Sequence, residues 1–173
     1  MKTKKQAELV NTFLSDNANE QTPLYYDIAV YLSEIGYNPR KQRSSIVFNH
    51  DSHNKQIAKF GIVRTKDKSP YFALRFAACT GYSKKFKDLV STVMENEGNQ
   101  DAGCVTGNCN YCQGEPITHV YKNKLSTGET ITRCGASPIT IPNLSESDIE
   151  EIKRLIWEQH VYLMKNKANI EMT

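Results

Sequence analysis

The chain has 173 residues, 39% of them hydrophobic and 24% charged, with a formal net charge of +3 and a mean hydropathy of −0.56. That length is enough for one domain with a real core plus a small appended part. No apolar run approaches the ~18–20 residues of a membrane helix, and the stretch after the basic start (Gln6 to Asp16) carries Gln, Glu, Asn and Asp instead of a signal-peptide core, so a cytoplasmic protein is expected.

Residues 4–15 read as a first helix, with Leu9, Val10, Phe13 and Leu14 on a short apolar face. Thr22-Pro23 supplies a cap and a proline at the first helical position of a second helix. Its stripe is Leu24, Ile28, Tyr31, Leu32 and Ile35, and Gly36 is its stop. Three strands are expected at about 45–50, 55–65 and 71–79, joined by short turns at 51–54 and 66–70 into a meander. In the third, Phe72, Leu74, Phe76 and Ala78 alternate with Tyr71, Ala73, Arg75 and Cys79. Gly61, in mid-strand, suggests a bulge.

Ser83 caps a helix carrying Phe86, Leu89, Val90, Val93 and Met94, with Gly98 as its stop. Residues 101–115 are almost devoid of apolar side chains. Strands at about 117–122 and 129–134 flank a Ser126-Thr127-Gly128 turn and form a hairpin. Ser145 to Asp148 open the last helix as a capping box, and Ile149, Ile152, Ile156, His160 and Leu163 mark its stripe. The order ααβββα–ββ–α predicts an α+β, two-layer domain of helices on an antiparallel sheet. Its expected divisions are an α+β core at 1–100, a cysteine hairpin at 101–144 and a closing helix at 145–173.

The hairpin carries the clearest chemical signal. Cys104, Cys109 and Cys112 have the spacing Cys-x4-Cys-x2-Cys, and Cys134 follows after 21 residues. Four thiolates make the tetrahedral site that structural zinc prefers, and a polar segment without a core needs such an ion to hold its backbone. Glycines 103, 107, 114 and 135 give the chain freedom to turn around the ligands. The same spacing fits a plant-type [2Fe–2S] cluster, and Cys109-x2-Cys112 that of a thiol redox pair, although a poor helix start follows it. Zinc remains the first choice, with His119 as a substitute for one cysteine. Cys79 lies beside Ala77 and Ala78 and reads as a small core residue.

His50-x2-His53, with Asp51 between, offers a second metal pair, but hairpin-turn residues explain it better because no third ligand is near. His160 reads as a core or boundary histidine. No nucleophile elbow, phosphate-cradling glycine loop or His-Glu-x-x-His motif is present, which favours a protein without catalytic activity. Charge is uneven: residues 40–87 carry twelve Lys/Arg against two acids, whereas residues 91–173 carry seven against eleven. The basic stretch, opening with Arg40, Lys41 and Arg43, marks either lysine-protected sheet edges or an anionic partner such as nucleic acid.

Three features resemble a group of small bacterial YdhG-like α+β domains with a cysteine-bearing C-terminal hairpin. They are the Tyr-Phe-Ala-Leu-Arg-Phe strand at 71–76 leading through Gly81-Tyr82-Ser83 to Phe86, the cysteine segment followed by Gly128-Glu129 and Arg133-Cys134-Gly135, and Ile141-Pro142 running into the helix from Ser145 to Lys153. The resemblance spans roughly residues 20–165. It implies helices on an antiparallel sheet, with room for a small-ligand pocket, and brings no catalytic residues. The sequence thus leads to a non-catalytic binding protein with a structural zinc. Nucleic-acid binding through 40–87 is the first alternative, and a redox or metal-sensing thiol protein the second.

Overall fold

The computed structural model describes residues 1–17, 19–63, 70–97, 102–107, 109 and 115–168. Its elements are α1 (Lys4–Asp16), α2 (Thr22–Glu34), β1 (Tyr37–Gln42), β2 (Ser45–His50), β3 (Gln56–Ile62), β4 (Pro70–Leu74), α3 (Lys84–Glu97), β5 (Tyr121–Lys124), β6 (Thr130–Arg133), β7 (Ile139–Ile141) and α4 (Ile149–Ala168). Single 3-10 turns precede β5 (Pro116–Thr118) and α4 (Glu146–Asp148). This is an α+β fold, and among the described residues no helix is long and apolar enough to cross a membrane. Two compact units divide the chain: residues 1–74 with 140–157, and residues 75–139 with 158–173.

The first unit is built on a five-stranded sheet in the order β1-β2-β3-β4-β7. The antiparallel register pairs Ile46 with Phe60 and Phe60 with Phe72, and pairs Phe48 with Ala58 and Ala58 with Leu74. Alternation therefore gathers Ile46, Phe48, Ala58, Phe60, Phe72 and Leu74 on one face, and all six are essentially buried. Helices α1 and α2 cover that face: the Phe13 ring stacks 6.4 Å from Phe60, and Tyr25 meets it edge-on at 5.4 Å. Burying a ring such as Phe60 stabilises the fold by roughly 1.5–3 kcal/mol. The first turns of α4 add Ile149, Ile152, Leu155 and Ile156, and Lys153 reaches Asp27 of α2 at 2.8 Å.

Several sequence expectations are met. The second helix ends just before Gly36, and β2 occupies 45–50 as expected, but Gln21, not Thr22, takes the cap position, without a side-chain cap bond, and Thr22 is the first helical residue ahead of Pro23. Before α4, the Asp148 carboxylate accepts from the Ser145 N–H at 2.8 Å and hydroxyl at 2.7 Å. The Ser83 carbonyl accepts the first α3 bond, from Lys87 N–H at 3.0 Å. The stop at Gly98 and the turn residues 66–69 lie outside the described residues.

Other features differ from expectation, each for a physical reason. Strand β1 (Tyr-Asn-Pro-Arg-Lys-Gln) lacks an apolar alternation because it is the edge strand, where proline and charge are tolerated. The short edge strand β7 offers only three residues of pattern. The strand expected over 71–79 stops at Leu74: Phe76 N–H donates to the buried Tyr121 hydroxyl at 2.9 Å instead of extending a ladder, and Arg75 is buried, not outward-facing. Gly61 is not a bulge. The β3–β4 register runs unbroken through it, and the irregularity lies in β2 between Phe48 and Asn49.

In the second unit, Phe76 meets Tyr82, Phe86 and Tyr121 edge-on at centroid distances of 5.5, 5.7 and 5.2 Å. Phe86, Val90 and Met94 form the buried stripe of α3, and β5 and β6 make the expected hairpin. A 3-10 turn at Pro116–Thr118 replaces the start of the strand expected at 117, consistent with the fixed φ of its leading proline. Gln159, rather than His160, continues the buried stripe of α4: it is fully buried, and its Oε1 accepts from Ala78 N–H at 3.0 Å. Glu158 does the same for Thr80 N–H at 3.2 Å. These carboxyl and amide groups satisfy the backbone where the expected strand 71–79 has ended.

Candidate metal centre and a basic depression

The cysteine segment starts from an anchored point. Ala102 is buried, and its N–H donates to the Thr132 hydroxyl of β6 at 3.1 Å. A turn closes on it, with Val105 N–H to the Ala102 carbonyl at 2.8 Å and the Thr106 hydroxyl to the Gly103 carbonyl at 3.2 Å. Cys104 lies in this turn, two residues beyond the anchor, and Cys134 lies two residues beyond Thr132 at the end of β6. Cys104, Cys109 and Cys134 are all half-buried. Cys112 lies outside the described residues. Among the described residues, no three Cys, His, Asp or Glu side chains gather into a metal-binding group.

The turn after Cys134 is held by Ser137 N–H donating to the Cys134 carbonyl at 3.2 Å. Gly135 is required here by close approach: a Cβ on it would lie 1.8 Å from the His119 carbonyl oxygen and 2.6 Å from Ala77 Cβ. Backbone from three separate stretches therefore converges beside the last cysteine. His119 is buried, with Nδ1 3.1 Å from the Tyr162 hydroxyl, which also lies 3.1 Å from the Thr118 hydroxyl. The ring is thus oriented from α4, a partner that no local spacing in the sequence announces. Tyr121 sits deeper. Burial pushes its phenol well above the ordinary value, against the smaller opposing effect of the Phe76 N–H bond. Cys79 is buried, as its alanine neighbours suggested, in the turn after β4 and not at a strand end.

The histidine pair serves a turn. His50 Nδ1 accepts from Ser52 N–H at 3.1 Å, and His53 Nδ1 accepts from Lys55 N–H at 3.1 Å. The rings stack at 4.4 Å, nearly parallel at 12°, and both pack on Tyr37. Nitrogens facing a common ion would converge in place of stacking. Asp51 between them is bound by Lys2 and by Asn38 Nδ2 at 2.8 Å, contacts that hold its carboxyl below the usual range. His160 is half-buried, a boundary position.

The basic stretch resolves into two sides of the sheet. Lys41 pairs with Ile46 and so belongs to the helix-covered face, where it lines a 230 Å³ depression with Phe13 and Asp16 of α1. Arg40, Gln42, Ser45, Lys59 and Tyr71 alternate onto the other face. There a polar depression of about 550 Å³ opens at the β1–β2 turn, lined by Gln42, Arg43, Ser44, Ser45, Lys59, Ile62 and Tyr71. Among the described residues no carboxylate lines it. Its floor explains Gly61, whose cross-strand partner is Tyr71: a Cβ on Gly61 would lie 2.3–2.5 Å from the end of the Tyr71 ring. The phenol therefore lies across the β3 backbone, and Lys59 Nζ approaches it at 5.9 Å from the centroid.

A second depression of about 550 Å³, also bordered by Tyr71, is lined by the α1–α2 connection and the Thr140–Asn143 segment. Tyr25 is at its wall, donating to Gln21 Oε1 at 3.1 Å and the Pro70 carbonyl at 3.3 Å. No family model, no curated protein and no solved structure matches this chain.

Proposed function

We propose that this is a non-catalytic binding protein whose cysteine hairpin is closed by one zinc ion, held by Cys104, Cys109, Cys112 and Cys134. The observation that carries the reading is the hydrogen bond from Ala102 to Thr132, which ties the start of the cysteine segment to the strand ending in Cys134. Cys104 and Cys134 each lie two residues beyond that tie. Residues 101–115 are almost devoid of apolar side chains, so ordering that stretch has little apolar burial to offset its entropy, and an ion supplies the missing free energy. Four thiolates fill a tetrahedral shell and leave no position for substrate, which favours a structural ion over a catalytic one.

The test is elemental analysis and a visible spectrum of protein purified without a histidine tag. One zinc per chain, no colour, and loss of the ion in Cys109→Ser and Cys134→Ser are expected. Chelation should raise amide exchange across residues 102–134 and leave β2–β4 protected. Iron with sulfide and a brown colour would replace the zinc by a cluster. A metal-free protein with oxidisable Cys109 and Cys112 would make the segment a redox pair.

A further inference from the structure

Building on the reading of the chain as a binding protein, we propose that the depression at the β1–β2 turn binds a small phosphorylated molecule, its phosphoryl group held between Arg43 and Lys59. The volume, about 550 Å³, falls in the usual range of small-molecule sites. Arg43 and Lys59 line it, and among the described residues no carboxylate lines it and neither cation makes an ion pair. Gln42, Ser44, Ser45 and the Tyr71 hydroxyl add neutral donors around the same space, the mixture that phosphate oxygens accept from.

The two cations differ in how they are held. Arg43 stands in the two-residue turn between Gln42 and Ser45 with φ +55°, a conformation for which glycine or asparagine is the unstrained choice. A guanidinium placed there at a cost to stability, with no ion-pair partner among the described residues, fits a role toward a ligand. Lys59 is set by the Tyr71 ring, itself laid over Gly61, so this side of the site is preorganised. The occupant is a small molecule and not a polymer because, among the described residues, the bases do not continue as a track. Lys41 belongs to the opposite face, and the Arg40 guanidinium is already bonded to Asn54 Oδ1 at 2.9 Å.

The experiment titrates the full chain calorimetrically with inorganic pyrophosphate at low salt, beside a short oligothymidylate. Saturable pyrophosphate binding is expected, weakened about tenfold or more in each of R43G and K59Q, the loss of one charge-assisted contact. Glycine adopts the Arg43 backbone freely, so R43G keeps the turn; unchanged zinc content and an undiminished melting temperature confirm it. No saturable binding, equal binding by both variants, or an oligonucleotide that binds and is not displaced by pyrophosphate would each overturn the proposal. Cys134→Ser separates this reading from the zinc reading, because it should lose the metal and keep pyrophosphate affinity.

Discussion

The five-stranded sheet and the cysteine segment solve the same problem by different means. In the sheet, Phe60 is touched by the rings of Phe13, Tyr25, Phe48 and Phe72. Burial of apolar surface there offsets the entropy of ordering the chain, and a second layer of helices completes it. Among its described residues, the cysteine segment has one buried apolar anchor, Ala102, and exposes Val105 at 43%. Its described order rests on a few hydrogen bonds, which individually contribute only about 1 kcal/mol. A region of the first kind reports its structure through periodicity, whereas one of the second kind reports only the chemistry of what closes it.

The sharpest way to break this comparison is Phe60→Ala. A fully buried ring with four aromatic neighbours is lost, and destabilisation of about 3–5 kcal/mol is expected in urea unfolding. A loss below 1 kcal/mol would show that the sheet does not depend on its ring cluster. Next in size is Gly61→Ala. Its Cβ must displace the Tyr71 ring, at a cost of about 1 kcal/mol, less than for a rigid obstacle because the ring end can swing away. The same substitution in a Tyr71→Ala background should cost markedly less, since the obstruction is gone; equal costs would mean that Gly61 serves some other purpose. The smallest effect is a gain. R43G relieves the left-handed strain but adds chain entropy to the unfolded state, for a net stabilisation of about 0.5 kcal/mol, read as a raised urea midpoint. A loss of stability would instead assign the Arg43 side chain a role in holding the turn.

Much of the framework was legible in the chain. The helices at 4–16, 22–34 and 84–97, the strand at 45–50 and the cap at Ser145 follow from periods and caps that act locally. Edge strands are hidden for the opposite reason: β1 is buried at Tyr37, Asn38 and Pro39 in succession and exposed from Arg40 to Gln42, so its burial follows position along the edge and writes no alternation into its sequence. Gln159 gives no apolar signal, and its place on the buried stripe follows only from the Ala78 N–H that it satisfies. The i, i+4 spacing from Ile156 points to His160, one position beyond the buried Gln159.

The candidate sites divide in the same way. The identity of the four cysteines and their suitability for a soft metal belong to the sequence, since thiolate chemistry needs no fold to be recognised. That Thr132 anchors Ala102, that Tyr162 orients His119, and that Gly61 makes room for Tyr71 were decided by tertiary structure alone. The basic stretch shows why. Its charge was countable along the chain, but the alternation of strands put Lys41 on one face and Lys59 on the other, and left Arg43 at the turn between them. Composition fixes how much charge a segment carries; only strand register decides which charges face the same ligand.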